Sequence, residues 1–162
     1  MGRVLDSSLS KSISLLAKKI DLPLKVKIFA VDEMYDEERY GYGPYCFYDE
    51  KLLSLPLSFF LDWKEISLID IKIILLHEYG HFLFSQDDDY IKTFAKQSEK
   101  LNTFYSFGLD EITYAYAYAL LPVERMATGK GGLSIQDIHR VYYHQYGTKI
   151  SLPEWLVRYC YS

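Results

Sequence analysis

Apolar positions along this chain change period several times, and each change marks an element. Leu9, Ile13, Leu16 and Ile20 recur three or four residues apart, so residues 6–20 are expected to form an amphipathic helix, capped by Asp6 or Ser7. Pro23 ends it. From Leu24 to Val31 apolar and polar residues alternate, which predicts a strand with one wet face. Residues 32–44 carry charges and then Gly41, Gly43 and Pro44, the composition of a loop. Two short strands are expected at Tyr45–Tyr48 and Lys51–Leu55, with a turn near Asp49-Glu50. Pro56 opens a short helix through Leu61.

The second half has helical periods almost throughout. A long helix is predicted from about Ile66 to Phe84, broken by Asp87-Asp88-Asp89, a solvated loop that also caps the next helix, Tyr90 to about Leu101. A loop is expected over 102–109. Residues 109–121 contain alternating tyrosine and alanine with a period of two, but alanine, the acidic pair Asp110-Glu111 at the start and Pro122 at the end favour a helix. A glycine-rich loop at 129–132 and two closing helices, 134–146 and 153–161, complete the chain. The pattern is α+β: an N-terminal helix, a small sheet, then mainly helices. At 162 residues it is expected to be one domain spanning 1–162.

The candidate chemistry lies in the long helix. His77-Glu78-Tyr79-Gly80-His81 sits between the apolar runs Ile73–Leu76 and Phe82–Phe84. Residues i and i+4 of a helix lie one above the other, so both imidazoles face one point, as two ligands of a zinc ion do. Glu78 is placed to reach a metal-activated water as general base, the H-E-x-x-H arrangement of zinc peptidases. Alternatively, the two histidines are hydrogen-bonded core residues, yet two imidazoles and a carboxylate are costly to bury in an apolar helix without partners.

A catalytic zinc site needs a third protein ligand. No third histidine follows His81 at close spacing. His139 and His144, at i and i+5, do not share a helix face and read as ordinary histidines. A glutamate from a following helix is preferred, and the candidates are Glu99, Glu111 and Glu124. Glu99 lies on a lysine-rich face and reads as solvated. Glu124, just past Pro122 and beside Arg125, fits a surface ion pair. Glu111 begins a helix dense in small alanines that can pack closely on the metal helix, and is favoured.

Leu75 to Leu83, followed by Glu111 to Pro122, resembles the ImmA/IrrE family of zinc metallopeptidases. Its pattern is H-E-x-G-H and then E-A-N-x-F-A-x-x-L-L-M-P. Ile112-Thr113, Ala115-Tyr116 and Leu121 depart from it. The leading helix, the Val26–Val31 strand and the closing segments 133–139 and 152–158 are similar too. The resemblance implies a zincin-like fold, Zn2+ held by His77, His81 and Glu111 with Glu78 as catalytic base, and a protein substrate such as a DNA-binding repressor.

Bulk properties narrow the remaining classes. The chain is 49% apolar and 25% charged, as globular proteins are, and its net charge of −4 argues against a nucleic-acid surface of its own. No apolar stretch is long enough to span a membrane and no leader pattern is evident, so a cytoplasmic protein with no membrane partner is expected. Cys46 and Cys160 have no metal-ligand spacing and read as free thiols. Asp110 is a candidate to orient an imidazole, and a tyrosine or His144 to stabilise an oxyanion. Two competing readings stand beside the peptidase: a catalytically silent zincin-like sensor or docking module, and a structural domain without metal.

Overall fold

The computed structural model describes residues 2–29 and 43–161, with side chains from Ser8 onward. Helix α1 (Gly2–Lys19) leads to strand β1 (Lys25–Phe29), then β2 (Tyr45–Phe47), β3 (Leu52–Pro56) and a 3-10 turn (Leu57–Phe60). Six helices follow: α2 (Leu68–Leu83), α3 (Asp88–Ser106), α4 (Glu111–Ala119), α5 (Pro122–Lys130), α6 (Ile135–Tyr146) and α7 (Glu154–Tyr161). The class is α+β, mostly helical with a small three-stranded sheet. The expected end of the first strand beyond Phe29, and most of the loop 32–44, lie outside the described residues. No helix among the described residues is long and apolar enough to cross a membrane.

The sheet has the order β1-β3-β2, with β1 parallel and β2 antiparallel to β3. Leu53 of the central strand faces Val26 on one side and Cys46 on the other. Leu53, Ser54 and Leu55 are all fully buried. A strand covered on both faces has no need to alternate, which accounts for the sequence Leu-Leu-Ser-Leu-Pro. The apolar interior forms two clusters. Ile13, Leu53, Phe60 and Leu75 centre the one beneath the sheet, while Leu101, Ala117, Leu121 and Leu156 centre the one among the later helices.

Helix α2 supplies the first cluster with Ile71, Ile73, Ile74 and Leu75. Its start is fixed by a reciprocal capping box. The Ser67 hydroxyl accepts from the Asp70 amide at 3.3 Å, and Asp70 Oδ2 accepts from the Ser67 amide at 3.1 Å. Asp70 is fully buried and also takes a hydrogen bond from His144 Nδ1 at 2.7 Å. One carboxylate thus caps α2 and ties α6 to it.

Three boundaries differ from the sequence expectation: α1 starts at Gly2, so positions 6 and 7, expected to cap it, lie inside the helix. The predicted loop 102–109 is helical as far as Ser106, because no breaker intervenes before Gly108 and Phe104 packs edge-on against Trp155 and Tyr159 of α7. Pro122 does not merely end α4. It is the first residue of α5, where a missing N–H costs nothing, and α5 runs on to Lys130 through the expected glycine loop.

Helix α5 is the principal helical partner of α2. A Cβ built on Gly80 would lie 1.9 Å from the Ala127 carbonyl oxygen, and one on Gly131 would lie 2.2 Å from that of Leu76. Backbones meet here with no room for a side chain. Gly80→Ala is expected to force the helices apart and destabilise the fold by about 1–3 kcal/mol, the usual cost of overpacking. Gly129→Ala, where an added methyl meets nothing within 4 Å, is expected to be neutral or to stabilise by up to about 1 kcal/mol. Urea unfolding of the two variants beside the parent checks this.

Candidate metal centre

His77 and His81 occupy the last turns of α2, one turn apart and on one face. Opposite them, across the contact at Gly80, α5 presents Glu124 and Thr128. Glu124 is buried, and its Oε2 lies 2.8 Å from both His77 Nε2 and His81 Nε2. The opposite ring nitrogens are held as well. His77 Nδ1 is 2.9 Å from Thr128 Oγ1, and His81 Nδ1 is 2.8 Å from the hydroxyl of Tyr90, a buried residue of α3. Both imidazoles therefore turn Nε2 toward one point.

The Tyr90 bond also selects a tautomer. Its hydroxyl donates to the Val123 carbonyl at 3.2 Å, so its oxygen accepts the proton of His81 Nδ1. That leaves Nε2 to face Glu124 either as a second N–H or as a bare lone pair. Burial alone would lower the His81 imidazole. The charge and hydrogen bond of Glu124, together with Glu78, outweigh burial and raise it from 6.5 to about 9. Burial would raise Glu124, but the two imidazoles bring it from 4.5 down to about 2. Without metal, a proton on His81 thus holds the carboxylate.

The donor set suits a cation in that proton's place. The ligand atoms of His77, Glu78 and His81 lie within 4.8 Å of one another, and this group can hold a metal ion. Glu124 adds a carboxylate in contact with both rings. Each imidazole has its far nitrogen engaged, the arrangement that fixes ring orientation in metal sites.

Glu78 stands beside the rings, its carboxylate within 4.8 Å of their ligand atoms. It lines two cavities that meet at the centre, of about 580 Å³ and about 350 Å³. Burial raises its carboxyl above the usual carboxylate range; the imidazoles of His81 and His77 oppose that shift, and Glu124 adds to it. Tyr118 and Glu124 line both cavities too.

The structure brings His77, Glu78 and His81 together as their spacing predicts, and the carboxylate it sets against the two rings is Glu124 rather than the expected Glu111. Glu111 is exposed at the first turn of α4, whereas Glu124 meets the histidines. The physical reason is the choice of packing surface: α5, with Ala127 against Gly80, makes the close approach to α2 that the alanines of α4 were expected to make. Glu99 is exposed on α3. Asp110 is exposed and caps α4 through Thr113, so it orients neither imidazole. His144 is engaged by Asp70, and His139 stands exposed on α6 with Nδ1 on the Tyr116 hydroxyl. Thr128 and Tyr90 have no counterpart among the sequence candidates. The signal for α5 was present: Pro122 as a helix start, then Glu124, Ala127 and Thr128 at i, i+3 and i+4. Cys46 and Cys160 are buried free thiols.

No protein-family model, curated protein or solved structure matches this chain.

Three outcomes follow from this geometry. Metal content after purification should fall sharply in His77→Ala and Glu124→Gln but stay at the parent level in Glu111→Gln. Tyr90→Phe, which removes the acceptor for His81 Nδ1–H, should weaken metal affinity by about 10–100-fold in a competition titration with a chromophoric chelator. The third outcome concerns pH. A raised histidine stabilises the fold below its ordinary value and loses that contribution as pH rises through the raised one; a lowered carboxylate does the reverse. The metal-free protein should therefore be most stable between 4.5 and 6.5, weakening as pH climbs toward about 9 or falls toward about 2. Urea midpoints of chelator-treated protein across that range check it.

Proposed function

We propose that this protein is a zinc-dependent endopeptidase of zincin-like architecture, as its resemblance to the ImmA/IrrE family implies, with Glu124 in place of Glu111 as the third ligand. One observation carries the reading: two imidazoles and a buried carboxylate converge at 2.8 Å, with a second carboxylate, Glu78, beside them at the junction of two open cavities. A purely structural cluster has no need of the second carboxylate or of the cleft. Two histidines and a glutamate are a donor set of catalytic zinc sites.

In this reading His77, His81 and Glu124 hold the ion. Bound there, zinc supplies Lewis acidity, polarising a peptide carbonyl and acidifying a water. Glu78 takes the proton of the attacking water and passes it to the leaving amine. Tyr90 and Thr128 keep the rings aimed. The cavities on either side accommodate chain on both sides of the bond to be cut. A regulatory protein such as a DNA-binding repressor, in the cytoplasm, is the proposed substrate, and the acidic net charge leaves the DNA contact to that partner.

Glu78→Gln should retain stoichiometric zinc and lose at least about 100-fold in hydrolysis of a denatured-protein substrate, the lower range for removing a general base. Hydrolysis that survives this change overturns the assignment of Glu78. Zinc-loaded parent that cuts none of a broad panel of denatured proteins and candidate repressors overturns the peptidase reading.

A further inference from the structure

The larger of the two cavities beside the centre is walled mainly by apolar side chains. Its wall is built by Ile73 and Ile74 of α2, Ala119 of α4, and Ile138 and Val141 of α6. All five are buried and belong to the apolar cluster beneath the sheet, so the cavity opens directly onto the edge of the core. Tyr142, also on the wall, spends its hydroxyl on the Ala115 carbonyl at 2.9 Å and offers its ring. Among the described residues the lining contains no lysine or arginine, and its carboxylates are Glu78 and Glu124. The smaller cavity, edged by Tyr45, Tyr48 and Cys46, is more than a third smaller in volume.

We infer that the larger cavity receives a bulky apolar side chain, of leucine to phenylalanine size, from the substrate residue next to the bond that is cut. The inference rests on the peptidase reading above. Three observations fix the class of side chain. A wall of branched aliphatic side chains and tyrosine ring rewards apolar surface and offers an acidic group nothing in exchange for its water. The two carboxylates at the cavity's mouth repel an acidic side chain. A volume of about 580 Å³ holds a phenylalanine ring together with the adjoining backbone, whereas a glycine or alanine leaves the wall uncovered. Burial of a leucine or phenylalanine side chain is worth roughly 10- to 150-fold in affinity.

The test uses the zinc-loaded full chain and reads binding rather than turnover. Acetohydroxamate probes the metal alone. Two hydroxamate series, N-acetylaminoacyl and 2-substituted succinyl, carry hydrogen, isobutyl, benzyl or carboxymethyl groups on opposite sides of the zinc-binding head. Calorimetric titration should show at least a 10-fold gain from hydrogen to isobutyl or benzyl in one series, and a loss for carboxymethyl. Ala119→Leu, which shrinks the cavity, should bring the isobutyl-to-hydrogen ratio toward one. Ile138→Ala, which enlarges it, should shift preference from isobutyl to benzyl and serves where Ala119→Leu does not fold. Acetohydroxamate binding with no gain from either apolar group overturns the inference and leaves the metal centre standing. A gain that neither variant alters overturns it as well, placing the side chain elsewhere. Failure of acetohydroxamate to bind at all strikes the peptidase reading itself, and the inference falls with it.

Discussion

Everything at the centre depends on how closely two helices approach each other at Gly80. With no side chain at 80, the backbone of α5 comes within a methyl's width of α2, and Ala127 places its carbonyl where a Cβ would otherwise stand. Two matching triples then face one another. His77, Gly80 and His81 are spaced i, i+3 and i+4 on α2, and Glu124, Ala127 and Thr128 repeat that spacing on α5. The middle member of each is the small residue at the contact. The outer members are the polar groups that meet across it. A larger residue at 80 or 127 would separate not just two helices but every pair of polar atoms between them.

That geometry answers an electrostatic need. A carboxylate buried as deeply as Glu124 is unfavourable unless compensated, and in this helix pair the compensation is two imidazoles plus the proton on one of them. The chain of bonds from His81 through Tyr90 to the Val123 carbonyl closes back onto α5, one residue before Glu124. Donor and acceptor demands are met around the circuit. Helix α3 takes part through Tyr90, whose position at the helix start is set by Asp87, which accepts from its amide at 3.0 Å, through Phe94, edge-on to His81, and through Gln97, which accepts from the Val123 amide at 3.2 Å.

The sequence made the histidines legible and the carboxylate opposite them hard to find, for one physical reason. His77 and His81 are related by spacing within one helix, and the apolar flanks report its burial, so local periodicity suffices. The cap at Asp87 and the turn between β2 and β3 are local in the same sense. Glu124 depends on which helix α2 packs against, a tertiary choice. The alanines of α4 suggested the wrong surface, and Pro122, which can stop one helix or start another, was taken only as a stop. Strand order was likewise beyond local reading, since β3 lies between two strands that precede it. So was the pairing of Asp70 with His144, across 74 residues of chain.

The polar groups at the centre, His77, Glu78, His81, Tyr90, Glu124 and Thr128, all come from helices, while the sheet contributes only wall. Pro44, Tyr45, Cys46 and Tyr48 border the smaller cavity, yet none of them touches the two imidazoles or Glu124 through a hydrogen bond among the described contacts. The sheet's share of the wall is therefore separable from the helices that hold the centre, whereas the larger cavity is walled by α2, α4 and α6 themselves. Drift on β2 and its turn can reshape the cleft while the helix pair stays under strict constraint at Gly80 and Ala127. Side chains on β2 can thus vary without disturbing the helix contact at Gly80 on which the centre rests.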